Sequence, residues 1–274
     1  MDILVFVKPV PDPDKYNEIR IDEKTKRLIR KDVDTIIDPM AKNALEEALR
    51  LREEKGGTIT AISMAPPEAA DKLRECLAMG ADRAVLISDP AFAGADTYAT
   101  SYVLAKAVEY ITDEAGAKGF DLILVGNESA DGATSHVPVQ VAEWLGIPHA
   151  AGVSSIEMPG KTEITVSRRT SAGVLQLQGN TPALISVVRD INKPRHISAM
   201  GIVKARKKPL TLLTNEDLKL DTSLTGETGS PTKAGELSML DMRREAAPLT
   251  GEDATAEDAA KAILSIIRKA GITE

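Results

Sequence analysis

Cysteine and histidine are scarce in this sequence, which has one cysteine and three histidines among 274 residues. Cys76 alone cannot close an intrachain disulfide, and it cannot supply the several thiolates of an iron–sulfur cluster or a multi-cysteine zinc site. His136, His149 and His196 do not show the spacing of metal ligands on one element. We therefore expect a reducing compartment and no metal site.

Long apolar runs and excess positive charge are also missing. No run approaches the roughly 20 apolar residues that span a bilayer, and "MDILVFVKPV" enters a strand pattern at once, without a charged leader. A net charge of −7 argues against general nucleic-acid binding, which depends on clustered Lys and Arg. We expect a cytoplasmic protein with no nucleic-acid partner and no membrane insertion.

Familiar catalytic and nucleotide motifs are absent as well. Neither GxGxxG nor a Walker lysine motif occurs. No Ser–His–Asp or paired-carboxylate constellation stands out, so we predict no catalytic side chain.

Alternating strand and helix patterns fill the first two-thirds of the chain. This order predicts an α/β fold with a doubly wound, mostly parallel Rossmann-like sheet of the adenine-nucleotide-binding type. The expected strands are Ile3–Val7, Thr58–Met64, Ala84–Ile87 and Leu122–Val125, and the expected helices cover about 39–54, 68–79 and 96–115.

The pattern changes after Trp144. The runs "TEITVSRRT" and "GVLQLQGNTPALISVV" predict a hairpin and a further strand, which would form an antiparallel extension of the sheet. We expect a nucleotide-binding domain over 1–200 and a partner-facing extension over 201–274. That extension should consist of a Gly- and Thr-rich arm and a terminal helix that Thr255 caps.

Loops that follow strands are the places where an open α/β sheet binds ligands. In "DLILVGNESADGATSHVP", a buried strand gives way to small, polar and acidic residues at 126–136. Gly132 permits close backbone approach, while Thr134 and Ser135 stand where a helix could begin and hold a phosphate. The same residues are ordinary turn chemistry, and the pairs Asp38–Pro39 and Asp96–Thr97 fit plain helix starts equally well.

Five segments together resemble the β (small) subunit of the electron-transfer flavoproteins. They are "VFVKPVPD" (5–12), "DPMAKNALEEALRLRE" (38–53), "LRECLAMGADRA" (73–84), "LILVGNESADG" (122–132) and "PRHISAMGIVKARKK" (194–208). The resemblance implies a heterodimer with a larger α subunit that carries a flavin. It further implies a nucleotide inside the β subunit, which is FAD in the electron-bifurcating class and structural AMP in the ordinary class. The matching cofactor-binding positions are Phe6, Lys8, Asp38, Pro39, Met40, Ala41, Met64, Asn127, Ser129, Asp131, Gly132, Ala133, Thr134, Ser135, His136 and Val137.

The segment "SDPAFAGADTYATS" at 88–101 resembles the bifurcating class in particular, where Asp96, Thr97 and Thr100 would approach the FAD. The resemblance thus favours a redox carrier subunit, half of an NADH:ferredoxin oxidoreductase-type complex. NADH would be the electron donor, a flavin dehydrogenase one partner, and ferredoxin or flavodoxin the low-potential acceptor. The alternative is a non-bifurcating β subunit with structural AMP.

Three departures from the family pattern bear on function. His136 stands where the family often has Gln, which predicts altered contacts to a phosphate or a flavin edge. Arg169 and Ser171 replace acidic residues of the β-subunit signature. Ala199 and Met200 occupy the loop where a Leu commonly anchors in a dehydrogenase, so we expect them to dock a partner other than the usual acyl-CoA dehydrogenase.

Overall fold

The computed structural model describes residues 1–18, 20–21, 28–29, 34–114, 119–233, 235 and 255–271, and it divides into two units, Met1–Glu236 and Leu237–Glu274. The strands are β1 (Asp2–Phe6), β2 (Pro9–Pro11), β3 (Arg20–Ile21), β4 (Leu28–Ile29), β5 (Thr35–Ile37), β6 (Thr58–Met64), β7 (Arg83–Ile87), β8 (Leu122–Gly126), β9 (His149–Glu157), β10 (Glu163–Thr170), β11 (Gly173–Asn180), β12 (Ala183–Val187) and β13 (Leu210–Leu213). The α-helices are α1 (Pro39–Lys55), α2 (Ala70–Met79), α3 (Thr97–Glu114), α4 (His136–Leu145), α5 (Ala199–Ala205), α6 (Asn215–Leu218) and α7 (Ala256–Lys269).

Nine strands form one sheet in the order β11-β10-β9-β12-β8-β1-β6-β7-β13. All pairings from β9 across to β13 are parallel, whereas β10 runs antiparallel to both β9 and β11. The predicted mostly parallel sheet with an antiparallel extension is therefore confirmed. Two short antiparallel pairs, β2 with β5 and β3 with β4, lie outside this sheet.

The core lies on both faces of the sheet, because successive strand side chains point to opposite sides. Ile3 and Val5 of β1 belong to the cluster that also holds Leu45 of α1. Leu4 and Phe6 belong to the other cluster, which contains apolar side chains of α3 and α4. The sheet is thus covered by helices on both sides, as a parallel sheet requires.

The helix ends follow the expected capping chemistry. Asp38 caps α1, Pro39 occupies its first turn, and Gly56 ends it with a φ of 75°. In the second unit, Thr255 and Asp258 form a reciprocal capping box at the start of α7, which confirms the predicted cap. None of the helices in the described part of the chain combines the length and apolarity needed to cross a membrane.

Two strands of the sheet have little sequence signal. Strand β9 reads "HAAGVSSIE", whose small and polar residues give no clear apolar alternation, and β13 has only four residues. Strand β13 nevertheless pairs with β7 and extends the parallel part of the sheet by one strand. Segments β9 and β13 are therefore strands because they pair with neighbouring strands, and their local sequence pattern does not predict them.

Candidate functional site

The strand order reverses at β1. From β1 the chain continues to β6 and β7 on one side, and it then crosses to β8 on the other side. In an open parallel sheet such a reversal leaves a crevice at the carboxyl ends of the strands. The segment after β1, the start of α1 and the loop after β8 (residues 127–135, the β8 loop) all lie at this edge.

Lys8 joins the end of β1 to the β8 loop. Its Nζ donates to Asp131 Oδ1 at 2.7 Å and to Ser129 Oγ at 3.2 Å. The Lys8 side chain remains half exposed, while only 15% of the Asp131 side chain is accessible. The Lys8 ammonium therefore fixes the β8 loop to the end of β1, and its exposed part still carries positive charge at this edge of the sheet.

Asp38 ties the start of α1 to the same loop. One carboxylate oxygen accepts from Met40 N at 2.9 Å and from Ala41 N at 3.2 Å, which caps the helix. The other oxygen accepts from Ala130 N at 2.8 Å. Since Asp38 is only 2% exposed, water does not compete for these bonds.

Gly126 lets β8 approach the start of α1 closely. A Cβ at this position would lie 2.8 Å from Met40 Cβ and 3.0 Å from Ala41 N. Contacts that short involve backbone atoms, so a side chain would force the strand and the helix apart. The turn from β8 into its loop therefore requires glycine.

Asn127 organises the far end of the β8 loop. Its Nδ2 donates to Ser135 Oγ at 3.2 Å, and its Oδ1 accepts from Ser186 Oγ at 3.0 Å. Ser135 Oγ in turn donates to Glu128 Oε2 at 3.0 Å. These bonds hold Ser135 in the left-handed conformation, at a φ of 56°, immediately before α4.

The start of α4 offers donors that suit an anion. No side chain of the described residues caps this helix, so the backbone N–H groups of His136 and Val137 stay available. Pro138, the next residue, has no N–H. Thr134 and His136 are exposed beside these N–H groups. Together with the Lys8 ammonium, this donor set fits a nucleotide phosphate.

Apolar side chains lie at the same edge of the sheet. Phe6 is buried in the core cluster on the α3 and α4 face, and Met64 and Val137 pack against that same cluster while remaining partly exposed. Pro39, Met40 and Ala41 lie in the first turn of α1. The predicted residues of β1, β6, α1 and the β8 loop are thus gathered at one edge of the sheet.

Asp96 makes a separate set of contacts. It caps α3 through bonds from Tyr98 N (2.9 Å) and Ala99 N (3.0 Å), and its other oxygen accepts from Thr232 N (2.9 Å) and Thr232 Oγ1 (2.7 Å). Burial raises the pKa of Asp96, but these donors outweigh it and hold the pKa below its usual value. Both carboxylate oxygens therefore have donors within the chain. Thr97 and Thr100, both half-buried, lie at the start of α3.

The predicted docking residues begin helix α5. Ala199 is exposed and Met200 is 62% exposed. Gly201 packs against α2 so closely that a Cβ would lie 2.4 Å from Ala78 O. The helix therefore has one face fixed on the domain and another that carries exposed apolar side chains.

Sequence reasoning missed several partners of the site. Ser186 is fully buried on β12 and anchors Asn127, and the signal for it was a lone hydroxyl within the apolar run "ALISVV". Two further partners have no local signal in the sequence. Ser230 Oγ accepts from the backbone N–H of Asp96, and the backbone N–H of Thr232 donates to the Asp96 carboxylate.

Comparisons with known proteins agree on one family. The model of the electron transfer flavoprotein domain matches residues 25–218. The chain is 44% identical to electron transfer flavoprotein subunit beta of Thermoanaerobacterium thermosaccharolyticum, over 92% of this chain and 93% of that protein. It is 41% identical to the caffeyl-CoA reductase-Etf complex subunit CarD of Acetobacterium woodii, over 85% and 86%, respectively. It is also 38% identical to protein FixA of Azorhizobium caulinodans, over 85% and 82%.

Both the length of these matches and the Rossmann-like sheet support one assignment. Membership of this family implies a role in electron transfer, an association with flavin and an α-subunit partner. The chain belongs to the electron transfer flavoprotein family, as a β subunit.

Proposed function

We propose that this β subunit, paired with its α subunit, holds FAD at the β1/β8 edge and takes part in NADH-driven electron bifurcation to ferredoxin or flavodoxin. The observation that carries the proposal is the donor set of Lys8 and the uncapped start of α4, with partly exposed apolar side chains at the same edge. Cation, backbone N–H groups and apolar surface are what a flavin nucleotide needs from its protein.

Each part of the site has a distinct role in this proposal. Lys8 and the start of α4 bind phosphate, while Phe6, Met64 and Val137 supply apolar surface that excludes water. Asp38 keeps the β8 loop in position. A bound flavin supplies the redox chemistry, because it accepts a hydride and releases electrons singly.

The reach of the site favours FAD over AMP. Strands β8 and β7 lie three positions apart in the sheet, which is about 14 Å at the usual strand spacing. A ligand that touches both the β8 loop and Thr97 or Thr100 after β7 must be long, as a dinucleotide is. AMP could occupy only one of these ends, and the site would then serve structure rather than redox chemistry.

The partner is proposed to be a flavin dehydrogenase that docks on Ala199 and Met200. Exposed apolar side chains at a rigid helix are typical anchors of an interface. One relative is named as a subunit of a caffeyl-CoA reductase-Etf complex, which supports a dedicated redox enzyme as the partner here.

Coupled electron transfer tests the proposal directly. The chain is co-expressed with its α subunit, and NADH oxidation by the purified heterodimer is measured with flavodoxin, with the dehydrogenase and its acceptor substrate, and with all of them together. Bifurcation predicts that flavodoxin is reduced by NADH only when the dehydrogenase can accept electrons at the same time. A heterodimer that exchanges electrons with the dehydrogenase but never with NADH would refute bifurcation and leave the simple shuttle.

A further inference from the structure

The segment from 194 to 205 (the docking segment) connects the core to the exposed side chains of α5. It carries four exposed apolar side chains, Ile197, Met200, Ile202 and Val203, with exposures of 37%, 62%, 50% and 57%. A segment of this size cannot hold an apolar face outward by itself, because seven helical residues are too few for independent stability. Its orientation must come from the contacts that fasten it to the domain.

The carboxyl end of the docking segment is fastened to α2. Arg74 Nη1 donates to Ala205 O at 3.0 Å and to Lys208 O at 2.8 Å. Lys208 Nζ donates to Leu77 O at 3.1 Å and to Ala81 O at 2.6 Å. All four bonds end on backbone carbonyl oxygens, so they fix the end of α5 against the end of α2.

Asn192, just before the segment, already bonds to Asn43 and Glu47 of α1. Within the segment, the amino end is fastened to α1 by Arg195. Its Nε and Nη2 form a fork on the two oxygens of Glu46, at 2.8 and 2.9 Å, and its backbone N–H adds a third bond to Glu46 Oε2 at 3.0 Å. Its Nη1 reaches Glu53 Oε1 at 2.5 Å. The hydrogen bonds to the two carboxylates raise the pKa of Arg195 above its usual value. The Glu46 side chain is only 7% exposed.

A planar fork on a buried carboxylate fixes direction as well as distance, which a lysine cannot do. Glu46 lies eight residues after Asp38 on the same helix, about 12 Å along its axis. Helix α1 therefore holds the β8 loop at its first turn and the docking segment further along.

We propose that Arg195 is a positioning residue that sets the docking face of α5 relative to the nucleotide edge. This inference rests on the proposed docking function of Met200. Arg195 does not contact the partner itself. It orients the segment so that the partner meets a preformed apolar face.

The test measures how the dehydrogenase uses the purified heterodimer as its electron acceptor. Arg195→Lys is preferred to Arg195→Ala, because alanine would leave the buried Glu46 carboxylate without a cation. We expect Arg195→Lys to raise KM for the heterodimer roughly five- to tenfold, with kcat and nucleotide content unchanged. Glu53→Gln removes only the outer, exposed bond, and we expect it to raise KM about twofold by the same reasoning.

Lys106→Arg is the matched control. Lys106 also pairs with a carboxylate, with Nζ at 2.7 Å from Glu109 Oε2. It lies on α3, which packs on the opposite face of the sheet from α1 and α5. This variant should leave KM unchanged. Met200→Ala tests docking by itself, and its combination with Arg195→Lys tests whether the two act through one contact.

The outcomes separate the two proposals. If Arg195 orients the docking face, the double variant raises KM by less than the product of the single effects. The positioning role is overturned if the double variant raises KM by the full product, if Arg195→Lys leaves KM unchanged, or if nucleotide is lost together with the KM change. In each of these cases, a raised KM in Met200→Ala would still support docking. If Met200→Ala leaves KM unchanged, the docking function fails, and the positioning role falls with it.

Discussion

Asp38→Ala should be one of the most damaging single substitutions at the nucleotide edge. It removes the cap of α1, which costs about 0.5–2 kcal/mol, and the charged acceptor of Ala130 N–H, which costs about 1.5–3 kcal/mol. The two losses together come to about 2–5 kcal/mol. For a domain of this size, that lowers Tm by roughly 4–20 °C.

Asp38→Asn separates the two contributions. The asparagine oxygen can still accept from Met40 N and Ala41 N, so the cap survives. Its amide nitrogen faces Ala130 N–H, however, and two donors cannot bond. We expect about half the loss of stability, together with the full loss of the tether on the β8 loop.

Thermal melting of the purified heterodimer at fixed nucleotide concentration provides the measurement, since bound ligand itself raises Tm. Released nucleotide is quantified in parallel. The reasoning is refuted if Asp38→Ala melts within 2 °C of the unaltered protein, a limit taken as roughly the shift that 1 kcal/mol produces. It also fails if Asp38→Asn is as damaging as alanine.

Three further predictions concern other residues. Burial raises the pKa of the Cys76 thiol to about 12, so thiol reagents at pH 8 should label it only after unfolding; labelling at the rate of a free thiol would contradict its burial. Asp96→Ala removes the carboxylate that accepts from Thr232. The rate of backbone hydrogen exchange in residues 226–233 should therefore rise at least tenfold, which corresponds to a loss of about 1.4 kcal/mol or more in the free energy of local opening. An unchanged exchange rate would show that other contacts hold this segment. Asp131→Ala together with Thr134→Ala should reduce nucleotide retention, measured after gel filtration, whereas full retention would exclude the β8 loop from the site.

Much of the fold could be predicted because its signals are local. Asp38 followed by Pro39 marked the start of α1, and the apolar run ended by Gly126 marked the strand that leads into the site. Strands β9 and β13 could not be predicted, because their pairing partners rather than their own residues make them strands.

The candidate site shows the same division. Its loops were found because ligands bind where parallel strands end, and its individual residues came from the family resemblance. The contacts that hold the site were not foreseeable, since Asp38 meets Ala130 across 92 residues and Arg195 meets Glu46 across 149. No local periodicity encodes such pairs.

We propose above that the β1/β8 edge holds FAD. The most direct test of this proposal is to denature the purified heterodimer and to identify every released nucleotide by chromatography. The account predicts two FAD per heterodimer and no AMP, with one FAD lost in the Asp131→Ala, Thr134→Ala double variant. One FAD accompanied by one AMP would contradict it and identify the chain as a β subunit with a structural nucleotide.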